Sequence, residues 1–338
     1  MKAIFEQYGW EVLAYDAINQ GLINKTYNVK TTKGEFILQT VNDSIFKDPA
    51  AIDFNINAIG TYLKEVHPNY LFTQLYPTIL GKTLIEWEGQ FYRAFEKIDG
   101  YALDVIDNPM QAKEAAGAFG LFTHNLSNFK VQDLKLTLPN FHNLSLRYHQ
   151  FEQAVISGNS KRIQESKAEI EYLKAHKTYV NKYDNFLISK DVKPRVTHHD
   201  TKISNVLFQK IGGVEKAICV IDLDTVMPGF YISDIGDMCR TYLCPVSEEE
   251  TNLDLVTINK ANFEALKEGY LSVMESELSN FEMDHFHFAG QFMIYMQALR
   301  FLTDHLNNDV YYGAKKEGQN YVRALNQIRL LEMYNESV

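Results

Sequence analysis

Cysteine is scarce in this sequence, with three among 338 residues. Cys219, Cys239 and Cys244 have the spacing of neither a disulfide framework nor a zinc site, and Cys219, inside an apolar run, is expected to be core packing. Long apolar runs are missing too. None reaches the ~18 residues of a membrane span, and Met1-Lys2-Ala3-Ile4-Phe5 meets Glu6 at once instead of opening a signal-peptide core. The expectation is a cytoplasmic protein with no membrane partner, in which Asn24-Lys25-Thr26 has no meaning as a glycosylation site. Positive charge is in deficit: 33 Lys and Arg stand against 43 Asp and Glu, a net charge of -10. That balance argues against a nucleic-acid partner, because a phosphate-binding face is basic. A P-loop is also absent. Gly81-Lys82-Thr83 has the ending of one, but its first glycine would fall at Tyr76, and the surroundings read strand–turn–strand where a P-loop needs a following helix. Repeats and low-complexity linkers do not occur, and nothing implies an oligomer.

What the chain has in quantity is aromatic side chains, 20 Tyr and 21 Phe, a composition that suits a packed globular protein and not a disordered one. Its length suggests two domains of roughly 150 residues each. Up to residue 98 a period of two dominates. Strands are expected at 10–17, 26–31, 35–41, 75–80, 83–87 and 90–98, with a short helix at 1–8 and an amphipathic one at 53–66. Past Asp99-Gly100 the period becomes 3.6, with helices expected at 111–129, 146–157, 160–182, 259–278, 284–306 and 318–335. The 284–306 helix is apolar on nearly all sides and should be central. The expected fold is therefore α+β and bilobal. Residues 1–98 form an antiparallel-sheet lobe and residues 99–338 a mainly helical lobe, with a cleft at the junction, where ligand sites gather.

Residues 196–240 carry the chemistry. Strands at 206–210 and 217–223 flank Gly212-Gly213, which reads as a hairpin. His198, Asp200, Lys202 and Asn205 lead into the first strand, while Asp222 and Asp224 leave the second. Two residues apart on a strand share a face, so both carboxylates point the same way if the extended conformation persists. This is a suitable set for magnesium-dependent phosphoryl transfer. The cation takes one or two carboxylates or amides plus phosphates and water, and the acceptor hydroxyl needs a carboxylate that orients it and takes its proton. His-x-Asp-x-x-x-x-Asn, a short hairpin and then Asp is the protein-kinase order of these parts. The text after the hairpin is Asp-Leu-Asp where a protein kinase has Asp-Phe-Gly, so the order resembles the small-molecule, aminoglycoside phosphotransferase-like branch of the kinase fold.

Within that branch the chain resembles the N-acetylhexosamine 1-kinases almost end to end. The matching pieces are Gly21-Leu-Ile-Asn-Lys-Thr-Tyr-Asn-Val29, Phe36-Ile-Leu-Gln-Thr-Val-Asn42, Asn140-Phe-His142, Arg195-Val-Thr-His-His-Asp-Thr-Lys202 and Ile221-Asp-Leu-Asp-Thr-Val-Met-Pro-Gly229. They continue with Asp234-Ile-Gly-Asp-Met-Cys-Arg240, Leu299-Arg-Phe-Leu-Thr-Asp304 and Asp309-Val-Tyr-Tyr312. The resemblance implies transfer of the γ-phosphoryl group of ATP, with Mg2+, to the anomeric hydroxyl of a small-molecule sugar, N-acetylglucosamine or N-acetylgalactosamine. One departure from the wider superfamily is Gln39 in place of a third-strand lysine, which leaves phosphate neutralisation without an obvious source. His199 and Ser204 stand where relatives often carry Asn, at positions the chemistry does not require.

The roles that follow are Asp200 as base, with Lys202 as the nearest cation to the transferred group. Asn205 and Asp222 are metal ligands, and Asp224 either joins them or holds the loop. His198 is a loop brace whose ring bonds backbone near Asp222. Gly21, Leu22, Ile23, Asn24, Thr26, Gln39, Phe95 and Ile98 make the nucleotide site. His142, Asp237, Arg240, Arg300, Asp304 and Tyr312 make the sugar site, although Arg300 with Asp304 and Asp237 with Arg240 have helical spacings at which each pair can simply bond to itself. Two rival functions stay open: a kinase of another small alcohol (an aminoglycoside, choline, homoserine or a different sugar), and a nucleotide-binding module without turnover.

Overall fold

The computed structural model describes residues 1–18 and 23–338. After the short helix α1 (Lys2–Gln7) come β1 (Val12–Ile18), β2 (Lys25–Thr31), β3 (Gly34–Val41), β4 (Leu84–Trp87) and β5 (Gln90–Glu96), an antiparallel sheet in the order β1-β2-β3-β5-β4. Strand alternation gives it two faces. Val29, Phe36, Leu38, Tyr92 and Ala94 pack with α1 and Trp10 into a small core of their own, where the Trp10 ring stacks 4.5 Å from both Tyr8 and Phe36. The opposite face carries Thr26, Gln39 and Arg93. Helix α2 (Pro49–Val66) starts on Asp48, whose side chain accepts from the Ala51 N–H at 3.0 Å, with Pro49 in the first turn where its missing N–H costs nothing. A strand expected at 75–80 does not form. Only Leu75 bridges to Phe95. Pro77 has no N–H for a ladder, and Thr78 folds into a turn that bonds Lys82 and Gly81.

Beyond β5 the chain enters the helical part through β6 (Tyr101–Ala102), which pairs with a strand of the later hairpin. Then come α3 (Pro109–Asn125), α4 (Leu144–Ser157), α5 (Ser160–Glu165), α6 (Lys167–Ala175) and α7 (Thr178–Ile188). The single helix expected over 160–182 is thus three short ones. Ser166 and His176 leave helical geometry at ψ 22° and 16°, and the His176 ring shares the Tyr172 carbonyl, at 2.8 Å, with its own backbone N–H at 3.3 Å. The rest follows as β7 (Arg195–Thr197), β8 (Val206–Ile211), β9 (Val214–Val220), β10 (Met227–Gly229), α8 (Tyr231–Tyr242), α9 (Lys260–Met274), α10 (Asn280–Asp284), α11 (Phe286–Leu306) and α12 (Gln319–Ser337).

Helix α11 is the centre: 18 of its 21 residues are buried, so α4, α8 and α12 can pack around it. One contact demands glycine. A Cβ on Gly236 of α8 would lie 2.4 Å from the Ala289 carbonyl oxygen, so the two helices touch backbone to backbone. Among the described residues no helix is long and apolar enough to cross a membrane. The architecture is a bilobal, kinase-like α+β fold, with the sheet lobe joined to a helical lobe.

Candidate active site

The candidate catalytic loop, residues 198–205, runs from β7 to β8 and hangs on α8, a helix absent from the elements expected from periodicity. Asp234 in the first turn of α8 accepts the His199 N–H on Oδ1 at 2.7 Å and the His198 N–H on Oδ2 at 3.1 Å. One turn on, Asp237 Oδ2 accepts the Thr201 N–H at 2.8 Å. Thr201 and Tyr242 hydroxyls close the arrangement by donating to the carbonyls of Asp234 and Thr201. A carboxylate on a helix would be read as pointing to water; here two point inward because buried loop N–H groups need acceptors. His199 is held at φ 67°, a costly conformation for a residue with a side chain. His198 donates from Nε2 to the Ile221 carbonyl at 3.0 Å and accepts the Asp200 N–H on Nδ1 at 3.3 Å. Both bonds suit a neutral ring, and burial pushes its pKa down to about 4.

Asp200 stands at the end of this loop. Lys202 Nζ lies 2.9 Å from its Oδ2, and Asn205 Nδ2 donates to the same oxygen at 3.0 Å and to the Asp200 carbonyl at 2.9 Å. Burial alone would raise the Asp200 carboxyl, but the Lys202 charge and hydrogen bond, with His198 and Asn205, hold it below its ordinary value. It is an ionised carboxylate at neutral pH, as a base must be.

The two later aspartates part company. Asp222 sits at φ 61°, ψ 63° and Leu223–Thr225 is a turn of 3-10 helix, so the extended run ends and the expected common face is lost. Asp222 is exposed on the cleft and, among the described residues, its carboxylate accepts no hydrogen bond. Desolvation by the surrounding protein and the neighbouring Asp224 and Asp200 carboxylates push its pKa up to about 7. Asp224 is 2 % exposed and turns to the sheet lobe, where Arg93 Nη2 lies 2.5 Å from Oδ1 and Asn24 Nδ2 donates to Oδ2 at 2.7 Å. Among the described residues no three His, Cys, Asp or Glu form a metal cluster. That is compatible with magnesium, which keeps water and phosphate ligands and needs only one or two protein oxygens. Among the described residues the charge-crowded Asp222 carboxylate and the Oδ1 of Asn205 accept no hydrogen bond, which fits such an ion; Asp224 accepts from Asn24 at Oδ2 and lies against Arg93 at Oδ1.

On the nucleotide side, Gly21 and Leu22 lie outside the described residues, and Ile23 is exposed. Asn24 bonds Asp224 and also accepts the Asn42 N–H at 2.9 Å. Gln39 donates to Thr26 Oγ1 at 3.2 Å and accepts twice from Arg93, at 3.0 and 2.8 Å. Phe95 lies under the Arg93 guanidinium, 5.3 Å from the ring centroid, and Ile98 is half-buried where the chain leaves β5. Arg93 was not singled out in the sequence. A lone arginine in an alternating strand reads as a solvent-facing residue, yet it is 2 % exposed.

On the acceptor side, the His142 ring stacks on Phe141 at 4.4 Å and its Nδ1 is 3.4 Å from His199 Nδ1. Burial, then the charges around it, hold His142 neutral. Burial likewise pushes His199 down to about 3. Gly229 is required beside it, because a Cβ there would be 2.5 Å from His199 Cε1. Asp237 and Arg240 do pair, at 3.0 Å, and Arg240 continues to Glu248 at 3.0 Å; this pair supports the loop. Arg300 and Asp304 do not pair among the described residues. Asp304 accepts the N–H groups of Tyr311 and Tyr312 at 2.7 and 2.9 Å and Asn320 Nδ2 at 3.0 Å. It ties down the loop after α11 and has no free oxygen for a ligand. Arg300 is buried among Phe141, Tyr311 and Tyr312, 5.3 to 5.7 Å from their ring centroids. Its only hydrogen bonds among the described residues are at 3.3 Å, to Gln297 and Tyr311. A cavity of about 360 Å³ lies here, lined by Arg147, Gln150, Arg300, Tyr311 and Tyr312. Tyr312 also donates to Gln297 Oε1 at 3.3 Å.

The sequence pattern of a phosphotransferase enzyme family matches residues 15–268. Solved structures with the same fold include a spectinomycin phosphotransferase in complex with ADP and spectinomycin, at 11% identity over 100% of this chain and 97% of that one, TM-score 0.64. An amicoumacin kinase in complex with AMP-PNP and Ca2+ matches at 15% identity, 98% and 92% coverage, TM-score 0.66. An ethanolamine kinase of Plasmodium vivax matches at 16% identity, 96% and 84% coverage, TM-score 0.60.

Proposed function

Because the chain belongs to the phosphotransferase enzyme family, a group of enzymes that move phosphate to an alcohol with ATP and a divalent metal, we propose that its acceptor is a neutral N-acetylhexosamine, phosphorylated at the anomeric hydroxyl. The observation that carries this reading is the acceptor cavity. Its cations, Arg147 and Arg300, have no paired carboxylate among the described residues, its wall mixes amide and hydroxyl side chains with Tyr311 and Tyr312, and the one acid in its lining, Asp304, is taken up by two backbone N–H groups and Asn320. A polycationic aminoglycoside, or an amine such as ethanolamine, calls for free carboxylates. A neutral sugar calls for hydrogen-bond donors and apolar faces, which is what lines this cavity.

The geometry supports the following roles. Asp200, ionised and reachable from the cleft, orients the acceptor hydroxyl and takes its proton. Lys202, within 2.9 Å of that carboxylate, stabilises negative charge on the transferred group. Asn205 and Asp222 hold the magnesium, which when bound neutralises phosphate charge. Asp234 and Asp237 keep the loop in shape from below. Arg300 and Tyr312 of the cavity, together with His142, orient the sugar.

The test is ATP consumption by the purified protein against a panel of amino sugars, neutral sugars, aminoglycosides and small amino alcohols, followed by phosphorus NMR of the product. N-acetylglucosamine and N-acetylgalactosamine are expected to be the best acceptors and to give 1-phosphates. A product phosphorylated at C6, or a preference for a cationic acceptor, overturns the reading.

A further inference from the structure

Gln39 leaves the sheet without the lysine that kinases place on their third strand, and the structure contains a second feature that has no role in the scheme above. Arg93 stands directly across the β3–β5 ladder from Gln39. Its guanidinium, 2 % exposed, donates twice to Gln39 Oε1 and reaches Asp224 Oδ1 at 2.5 Å; among the described residues Nη1 has no partner. Asp224 is equally buried, and its other oxygen is taken by Asn24 at 2.7 Å. Residues of the sheet lobe thus converge on one carboxylate that belongs to the helical lobe's metal-site turn.

The chemistry of position 39 follows from this. A buried guanidinium has five donors and no acceptor, so the side chain facing it must accept. Glutamine does; lysine would add a third group to a buried pair and repel Arg93. The glutamine and the arginine are therefore a matched exchange: the cation has moved one strand over, and its partner is a carboxylate two residues after Asp222.

We propose that Arg93 is a positioning residue for the nucleotide site: by pairing with Asp224 it supplies the sheet's missing cation and fixes the turn that presents Asp222 to the magnesium–nucleotide. This rests on the phosphotransferase reading of the site. Removing Arg93 leaves Asp224 buried and unpaired, and a buried charge without its partner is far costlier than a buried pair replaced as a unit. The turn then moves, and Asp222 with it. The acceptor cavity, built on α4, α11 and the loop after α11, is not touched.

The experiment uses the full chain and the variants Arg93→Met, Arg93→Lys, Asp224→Asn, Gln39→Lys and the double Arg93→Met/Asp224→Asn. Urea midpoints are measured without nucleotide, affinity for magnesium–AMP-PNP by calorimetry, and KM for the acceptor by turnover. Coupling in cycles of contacting groups reaches a factor of about 10 or more, so Arg93→Met is expected to weaken magnesium–nucleotide binding by ~10-fold or more while acceptor KM changes by less than about twofold. Arg93→Lys should recover part of the binding. The double variant should lose less in urea midpoint than the two single losses added together, and Gln39→Lys should lower the midpoint and not raise activity. Additive midpoints, or nucleotide affinity unchanged in both Arg93 variants, overturn the proposal. If Arg93→Met does not fold, Arg93→Lys and Asp224→Asn decide by the same nucleotide-affinity criterion. Failure of the unmodified protein to bind magnesium–AMP-PNP would instead count against the phosphotransferase reading itself.

Discussion

Replacing Asp234 by alanine tests whether the catalytic loop is held from below. The carboxylate is 2 % exposed and accepts two loop N–H groups at 2.7 and 3.1 Å. Alanine leaves both donors buried without a partner. At ~1–3 kcal/mol for each orphaned group the loss is roughly 2–6 kcal/mol. An opposing effect places the outcome in the lower half of that range: burial, the largest influence on this carboxyl, pushes its pKa up to about 7, so the site disfavours the charge that alanine removes. Asparagine keeps one acceptor oxygen and should cost about half as much as alanine. Either loss is a large share of a typical stability of about 5–15 kcal/mol. Both variants also release His199 from its φ of 67°, which moves the neighbouring Asp200 and lowers kcat more than it changes either KM. Urea denaturation at constant m-value, alongside steady-state kinetics, measures both effects. An alanine variant within ~0.5 kcal/mol of the parent, or one with normal kcat, would refute the account of α8 as the loop's support.

Other outcomes are expected of the same site. Asp200→Asn should lower kcat by about 10²–10⁴ with little effect on folding; turnover near that of the parent would remove Asp200 from the base role. Asp222→Ala should stop catalysis while the variant stays folded, as read by a cooperative urea transition; normal turnover with magnesium would move the metal elsewhere. Arg300→Ala should raise the KM of the acceptor far more than that of ATP, and an effect on ATP alone would separate the cavity from the acceptor. Gly229→Ala places a Cβ 2.5 Å from the His199 ring and should cost ~1–3 kcal/mol by overpacking, read by thermal denaturation. The buried histidines predict acid lability. His198 and His199 have folded pKa values of about 4 and 3, held down by burial, against about 6.5 unfolded. The unfolded chain therefore binds more protons between those values, and these groups take stability away as pH falls from about 6.5 towards 3. His199→Gln should flatten that slope in urea titrations at several pH values.

Much of this architecture is legible in the sequence where one period dominates. The sheet strands alternate, α11 is apolar all round, and the Asp200-to-Asn205 spacing with its Gly-Gly hairpin marks the cleft. What escaped reading did so for physical reasons. Helix α8 carries Asp234 and Asp237 on its buried side, which breaks the amphipathic pattern, because those carboxylates serve backbone N–H groups instead of water. The 3-10 turn after Asp222 depends on a left-handed residue that no pattern announces. Arg93 looks like a surface residue until its partner, brought in from position 224, is in view. For α8 and Arg93 a polar group is buried by a partner distant in sequence, and periodicity registers only apolar burial.

The saturation of Asp304 by the loop after α11 has a consequence for how acceptor choice can change. One carboxylate at the end of a rigid helix fastens Tyr311 and Tyr312 by their backbone N–H groups, and any residue other than proline offers an N–H. The attachment is thus indifferent to which side chains the loop carries. Position 311, whose ring is exposed, can be exchanged to reshape the cavity wall while the fastening stays as it is, whereas Tyr312 also packs on Phe301 and Arg323, so position 311 is a replaceable panel on a fixed frame and the place where a library aimed at new acceptors should begin.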